Sequence, residues 1–199
     1  MTDHYYSSKP STAHDRKIWD AQLRGRKFRF VSDAGVFSKQ GVDFGSRVLI
    51  DAMTIAENDM VLDVGCGYGP IGLSAAILAT SGHVTMIDVN ARAVELAREN
   101  AKSNGITNVT ILESDLYAEI PEKPVYDVVL TNPPIRAGKA VVHAVFEGAA
   151  ARLKEGGALW IVIQKKQGAP SAKEKLLSLF SSVEEVTKDK GYRIFKAIK

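Results

Sequence analysis

The chain has 199 residues, 45% of them hydrophobic and 25% charged, enough to bury one sizeable core and read as one domain. No apolar run approaches the roughly 20 residues that a spanning helix needs, and Met1-Thr2-Asp3-His4-Tyr5-Tyr6 has no apolar signal core, so a spanning helix is excluded and a cytoplasmic location, with no membrane partner, is expected. The net charge of +3 is uneven: residues 1–47 carry nine Lys/Arg against five Asp, a footprint for a polyanion or an ordinary solvated surface.

In chain order, residues 1–41 are expected as an N-terminal extension packed on the core, too short to hold a core alone. Within it, Lys27-Phe28-Arg29-Phe30-Val31-Ser32 alternates charged with apolar residues, as a half-exposed strand does. Residues 42–199 are expected to form the main domain, opening with a helix over 42–56. From Asp59 onward, β-rich runs alternate with helical patterns, the signature of βαβ units and a parallel sheet. Strands are expected at 60–64, 83–87, 108–112, 126–130 and 158–163, with helices at 70–79, 91–103, 137–153 and 171–180. The end differs, since 183–187, a Lys188-Asp189-Lys190-Gly191 turn and 192–198 read as a hairpin. A hairpin cannot be a parallel crossover, so the sheet should end in an antiparallel strand. The fold class is therefore α/β, a Rossmann-like doubly wound sheet of about seven strands, mostly parallel.

Directly after the 60–64 strand comes Asp63-Val64-Gly65-Cys66-Gly67-Tyr68-Gly69-Pro70-Ile71-Gly72, a glycine-rich turn into a helix. Gly65, Gly67 and Gly69 let the backbone bend and approach a ligand closely, while the helix N-terminus offers free N–H groups. By itself, Gly67-x-Gly69-x-x-Gly72 also satisfies the dinucleotide fingerprint and separates adenosylmethionine from NAD poorly. Three acids stand at successive strand ends: Asp63, Asp88, which can accept both ribose hydroxyls of an adenosyl group, and Asp115, which can accept from an adenine amino group. Cys66, the one cysteine, allows neither a disulfide nor a cysteine-based metal cluster, and no metal is expected. Flanked by glycines and with no pairing His nearby in sequence, it reads as a small filler of the loop rather than a nucleophile.

At the end of the 126–130 strand stands Thr131-Asn132-Pro133-Pro134-Ile135, beside the crevice where ligands of open α/β sheets lie. Pro133 and Pro134 lack N–H groups, and Pro133 pushes Asn132 into an extended conformation, so rigid and unpaired carbonyls are expected. The Asn132 side-chain oxygen and the Pro133 carbonyl can accept the two N–H bonds of one amino group. That would draw a planar nitrogen towards tetrahedral geometry and aim its lone pair at a methyl donor.

In this order, Gly65-Cys66-Gly67-Tyr68-Gly69, Asp88, Asp115 and Asn132-Pro133-Pro134-Ile135 resemble the class I S-adenosylmethionine-dependent methyltransferases of small-domain type. Through Asp3-His4-Tyr5-Tyr6-Ser7, Gly35-Val36-Phe37-Ser38 and Arg136-Ala137-Gly138-Lys139 the chain most resembles the small-subunit ribosomal RNA guanine-N2 methyltransferase C family. The resemblance implies that Gly65 and Gly67 line the methionine part of the cofactor, that Asp88 holds the ribose, and that Ser114, Asp115 and Leu116 border the adenine. It also implies that Phe37 and Ser38 lie over the cofactor, that Asn132 to Ile135 form the catalytic segment, and that ribosomal RNA or the small ribosomal subunit is the partner. Arg136, Lys139 and the basic N-terminal stretch are the candidates for phosphate contacts. Ile135 departs from the aromatic residue that many nitrogen methyltransferases use to stack the target base, so stacking either comes from elsewhere, with Phe37 and Tyr68 the candidates, or is weak.

Alternatives stay open at this point. A protein glutamine amide or an adenine amino group presents the same two N–H bonds. An NAD-dependent dehydrogenase fits the glycine fingerprint but not Asn-Pro-Pro or the terminal hairpin, and a non-catalytic RNA-binding relative would keep the fold alone.

Overall fold

The computed structural model describes residues 12–38 and 40–199. Asp3-His4-Tyr5-Tyr6-Ser7, Lys9 and Lys39 lie outside the described residues. The first elements are an antiparallel pair, β1 (Lys17–Leu23) and β2 (Arg26–Ser32). Only the second was expected. The turn between them is Arg24-Gly25, with φ of 49° and 77°, the two-residue geometry whose twist suits a hairpin. Arginine at the first position hides that turn in the sequence, and β1 buries only Ala21 and Leu23, so its alternation is faint.

Helix α1 (Phe44–Ala52) is shorter than expected at both ends. Asp43 caps it by accepting from the Ser46 amide, which fixes the start, and Met53 is extended. The next turn is held by Asp59, whose carboxylate accepts from the Ala56 amide.

The main sheet is built from β3 (Met60–Val64), β4 (His83–Asp88), β5 (Val109–Glu113), β6 (Tyr126–Thr131), β7 (Leu153–Gln164), β8 (Ser182–Asp189) and β9 (Tyr192–Ile198), in the order β5-β4-β3-β6-β7-β9-β8. The first five are parallel, and β9 runs antiparallel between β7 and β8. The antiparallel strand therefore lies one position inside the edge, which β8 occupies, rather than at the edge itself. A second difference concerns the fifth parallel strand, expected to begin at residue 158; β7 begins at Leu153 and runs through Gly156 and Gly157, with a register shift against β6.

Helices α2 (Pro70–Ala76), α3 (Ala91–Ser103), α4 (Lys139–Arg152) and α5 (Ala169–Leu179) complete the fold. Helix α4 starts after Gly138, later than expected, because Ile135–Ala137 first make one tight 3-10 turn. Successive residues of a strand face opposite sides. Trp160 and Val162 of β7 thus join the cluster containing α2 and α3, while Leu159, Ile161 and Ile163 join Val145, Phe146 and Leu176 of α4 and α5. The chain leaves β3 outward through β4 and β5, then returns to β6 and β7 on its other side. Such a reversal opens a crevice at the carboxyl ends of the strands. Among the described residues no helix is long and apolar enough to cross a membrane.

The β1–β2 pair is fastened to α3 by Asn100, which is fully buried. Its Oδ1 accepts from the Val31 amide, and its Nδ2 donates to the carbonyls of Val31 and Tyr68. Phe30 and Trp19 meet the Tyr68 ring edge to face, with centroids 5.7 Å away in each case. Asn100→Ala would strand three buried backbone groups, so unfolding free energy should fall by about 3 kcal/mol. A urea melt checks this, and an unchanged midpoint would deny the clasp any energetic weight.

Candidate cofactor and acceptor site

The crevice holds a cavity of about 430 Å³, within the range of small-molecule sites. Its walls come from the ends of β3, β4, β5 and β6, and from α1 and α4. Of the residues picked from the sequence, Phe37, Gly65, Cys66, Gly67, Asp88, Ser114, Asp115, Leu116, Asn132, Pro133 and Pro134 all stand in it. Asp63, Gly69 and Ile135 do not line it.

The glycine loop is anchored by main-chain bonds, the Gly65 and Cys66 amides both donating to the Ile87 carbonyl at 2.9 Å. Gly65 and Gly67 have φ of 75° and 57°, and a Cβ on either would meet no atom within 4 Å. A side chain there would be strained by its backbone and would intrude on the space a ligand needs. Gly72 serves packing instead: a Cβ would sit 2.7 Å from Met86 and 2.8 Å from Asp63 Oδ2, so only glycine lets α2 approach the strands so closely. Gly69 is the left-handed residue that opens α2.

Asp88 ends β4 with both oxygens engaged, Oδ2 accepting from the Gly67 amide at 2.8 Å and Oδ1 from the Asn90 amide at 2.9 Å. Each carboxylate oxygen keeps further acceptor capacity for hydroxyl groups. Burial pushes its carboxyl up, against the downward pull of the Asn90 and Gly67 amides. Ser114 is buried and shapes the next turn, its hydroxyl donating to the Leu116 carbonyl and accepting from the Glu119 amide, while Asp115 beside it is exposed. Burial pushes the Cys66 thiol well up, with the Asp88 and Asp63 carboxylates adding to the effect, so it is a poor nucleophile and fills the loop.

Asn132 follows Thr131, whose hydroxyl bonds across to the Val64 carbonyl at 2.8 Å and ties β6 to the start of the glycine loop. The Asn132 Nδ2 donates to Ser46 Oγ at 3.0 Å and to Asp43 Oδ2 at 3.3 Å, while Oδ1 accepts nothing among the described residues. One expectation is corrected at Pro133. Its carbonyl is not unpaired but accepts from the Ile135 amide at 2.8 Å, because Pro134, at φ −76° and ψ 78°, closes a three-residue turn. A carbonyl has two lone pairs, so one remains for a ligand. Ile135 itself is half-buried against the cluster under β6 and β7. Tyr68 is enclosed, its hydroxyl donating to the Gly41 carbonyl at 3.1 Å, whereas Phe37 is 39% exposed on the cavity wall.

Sequence reasoning missed Ser46, Arg136 as a wall residue, and Val141 and Val145 of α4. The valines are one helical turn apart just after Asn-Pro-Pro, a spacing that could have revealed them. Ser46 gives no such signal, since it lies 86 residues from the amide it touches.

The family model described as Methyltransferase small domain matches residues 27–196. Over 200 residues the chain is 58% identical to the Bacillus subtilis protein YbxB, with all of both chains covered. Ribosomal RNA small subunit methyltransferase C of Salmonella typhi is 30% identical over 164 residues, covering 80% of this chain and 47% of that protein. Among solved structures, a T. thermophilus 16S rRNA N2 methyltransferase in complex with AdoMet and guanosine superposes with a TM-score of 0.82 at 26% identity, over 96% of this chain and 52% of that one. The chain thus spans about half the length of these two RNA methyltransferases and the whole of YbxB.

Proposed function

The chain belongs to the methyltransferase small-domain family, a family of S-adenosylmethionine-dependent enzymes, and we propose that it methylates the exocyclic amino group of a guanine in ribosomal RNA. The observation that carries this reading is that one cavity contains both the glycine loop with Asp88 and the acceptor pair Asn132 and Pro133. The residues suit the cofactor: two glycine positions open into the cavity, Asp88 has capacity for ribose hydroxyls, and the small Cys66 leaves room. When bound, S-adenosylmethionine supplies a methyl carbon on a cationic sulfur, whose bond electrons return to sulfur as the acceptor nitrogen takes the methyl group.

The chain's own work is positional. Asn132 Oδ1 and the free lone pair of Pro133 accept the two N–H bonds of the amino group, turning the nitrogen lone pair towards the donor, and the surplus proton leaves to water. Orientation of this kind is worth roughly 7 to 11 kcal/mol of barrier. Phe37, on the cavity wall, is the aromatic residue nearest to hand for stacking on the target base in this reading. Arg136, on the same wall, and exposed Lys139 would meet phosphates. Ribosomal RNA as acceptor also accords with a cytoplasmic location.

Comparing modified nucleosides in ribosomal RNA from cells with and without the protein tests the proposal; loss of N2-methylguanosine is expected, and an identical profile would exclude that acceptor. Titration with adenosylhomocysteine and NAD separates the cofactor classes, since saturable binding of NAD alone would overturn methyl transfer. In the same titration, Asp88→Ala should weaken adenosylhomocysteine binding by about 10- to 100-fold, the loss of hydrogen bonds to a charged group. Unchanged affinity would remove Asp88 from the ribose.

A further inference from the structure

The Asn132 amide is held from behind by residues no motif contains. Its two Nδ2 hydrogens have two partners, Asp43 Oδ2 at 3.3 Å and Ser46 Oγ at 3.0 Å, both at the start of α1. A carboxylate can only accept, so the amide cannot turn over without setting its oxygen against Asp43. Asp43 is itself fixed: Oδ2 also accepts from the Ser46 amide at 3.1 Å, and its carbonyl accepts from the Arg47 amide. Ser46 is 4% exposed and stands in the cavity wall beside Asn132.

We propose that Asp43 and Ser46 are positioning residues for methyl transfer: they hold both Nδ2 hydrogens so that Asn132 presents only its oxygen to the acceptor, and the Asp43 charge makes that oxygen a stronger acceptor. The second effect follows from amide resonance. A carboxylate drawing on the N–H side favours the form with negative charge on oxygen, and hydrogen bonds in a row strengthen one another. That oxygen faces a nitrogen which becomes cationic as the methyl group arrives, so the gain is larger in the transition state than in the ground state. Asp43 takes no proton in this scheme; the methylated nitrogen gives its proton to water. The inference rests on the reading of Asn132 as the partner of the acceptor amino group.

The test compares Asp43→Asn, Ser46→Ala, Asn132→Ala and the double variant Asp43→Asn/Asn132→Ala in methyl transfer from S-adenosylmethionine to ribosomal RNA from cells lacking the protein. Asparagine still caps a helix, so Asp43→Asn isolates the charge. It should lower kcat about tenfold with KM, adenosylhomocysteine affinity and melting temperature nearly unchanged. In the double variant it should add nothing to the loss caused by Asn132→Ala, because the path from Asp43 to substrate runs through that amide. A wild-type kcat in Asp43→Asn, or full additivity in the double variant, overturns the proposal. Full activity of Asn132→Ala instead overturns the reading beneath it. Hydrogen exchange of the Asn132 side-chain amide, followed by NMR, needs no acceptor: it should quicken in Ser46→Ala, and an unchanged rate also counts against the proposal.

Discussion

Asn132→Ala should lower turnover by about 10²- to 10³-fold and leave cofactor affinity nearly unchanged, the scale found for removing one preorganised polar contact from a transition state. The two effects separate because of where the side chain sits. The glycine loop is anchored by the Ile87 carbonyl and Asp88, with no bond to Asn132, so the loop survives the truncation. Alanine leaves Asp43 with its capping bond from the Ser46 amide, so α1 keeps its start and the melting temperature should move little. What disappears, on the proposed reading, is the acceptor that turns the substrate nitrogen. Single-turnover kinetics with saturating S-adenosylmethionine, alongside adenosylhomocysteine titration, measure both quantities. Wild-type turnover would remove Asn132 from the reaction, and lost cofactor binding would make it a structural residue of the loop.

How much of this was legible in the sequence depends on how far apart the interacting residues lie along the chain. Helix α3 was expected over 91–103 and spans those residues, because its ends are set locally: Asn90 caps it and a left-handed Gly105 follows its last turn. The glycine loop and Asp88 were readable because each stands at the end of a strand, and the parallel order brings strand ends together. The Asp43–Asn132 contact spans 89 residues and belongs to no local pattern. The Pro133 carbonyl was misjudged for a different reason: two prolines announce missing donors, but the donor that reached it is the Ile135 amide beyond them. Strand β1 was lost because a hairpin partner is set by the turn, and Arg24 in a left-handed conformation is not a residue from which such a turn is read. The edge order β9-β8 was hidden too, since two antiparallel strands joined by a turn can add to a sheet by either member.

Asp63→Asn should remove a fall in stability that the wild-type chain shows as pH rises from about 4 to 7. Asp63 is fully buried at the end of β3, and neither carboxylate oxygen has a hydrogen-bond partner among the described residues. Burial pushes its pKa from 3.8 to about 7, the nearby Gly72 amide, short of hydrogen-bonding geometry, pulling it back and the Asp88 charge pushing it further up. Below about pH 4 the folded and unfolded chains both hold the proton, and no cost arises. Between about 4 and 7 the unfolded chain ionises while the folded one stays protonated, so stability falls as pH rises. Above about 7 both are ionised and the cost levels off near 4 kcal/mol, three units at 1.36 kcal/mol each. An amide does not titrate, so the stability gained by Asp63→Asn should be larger at pH 8 than at pH 5 by about 3 kcal/mol. Whatever a neutral asparagine costs in that site is the same at both pH values and cancels. Urea unfolding of both proteins across this range measures it, and parallel curves would mean that Asp63 is ionised at ordinary cost.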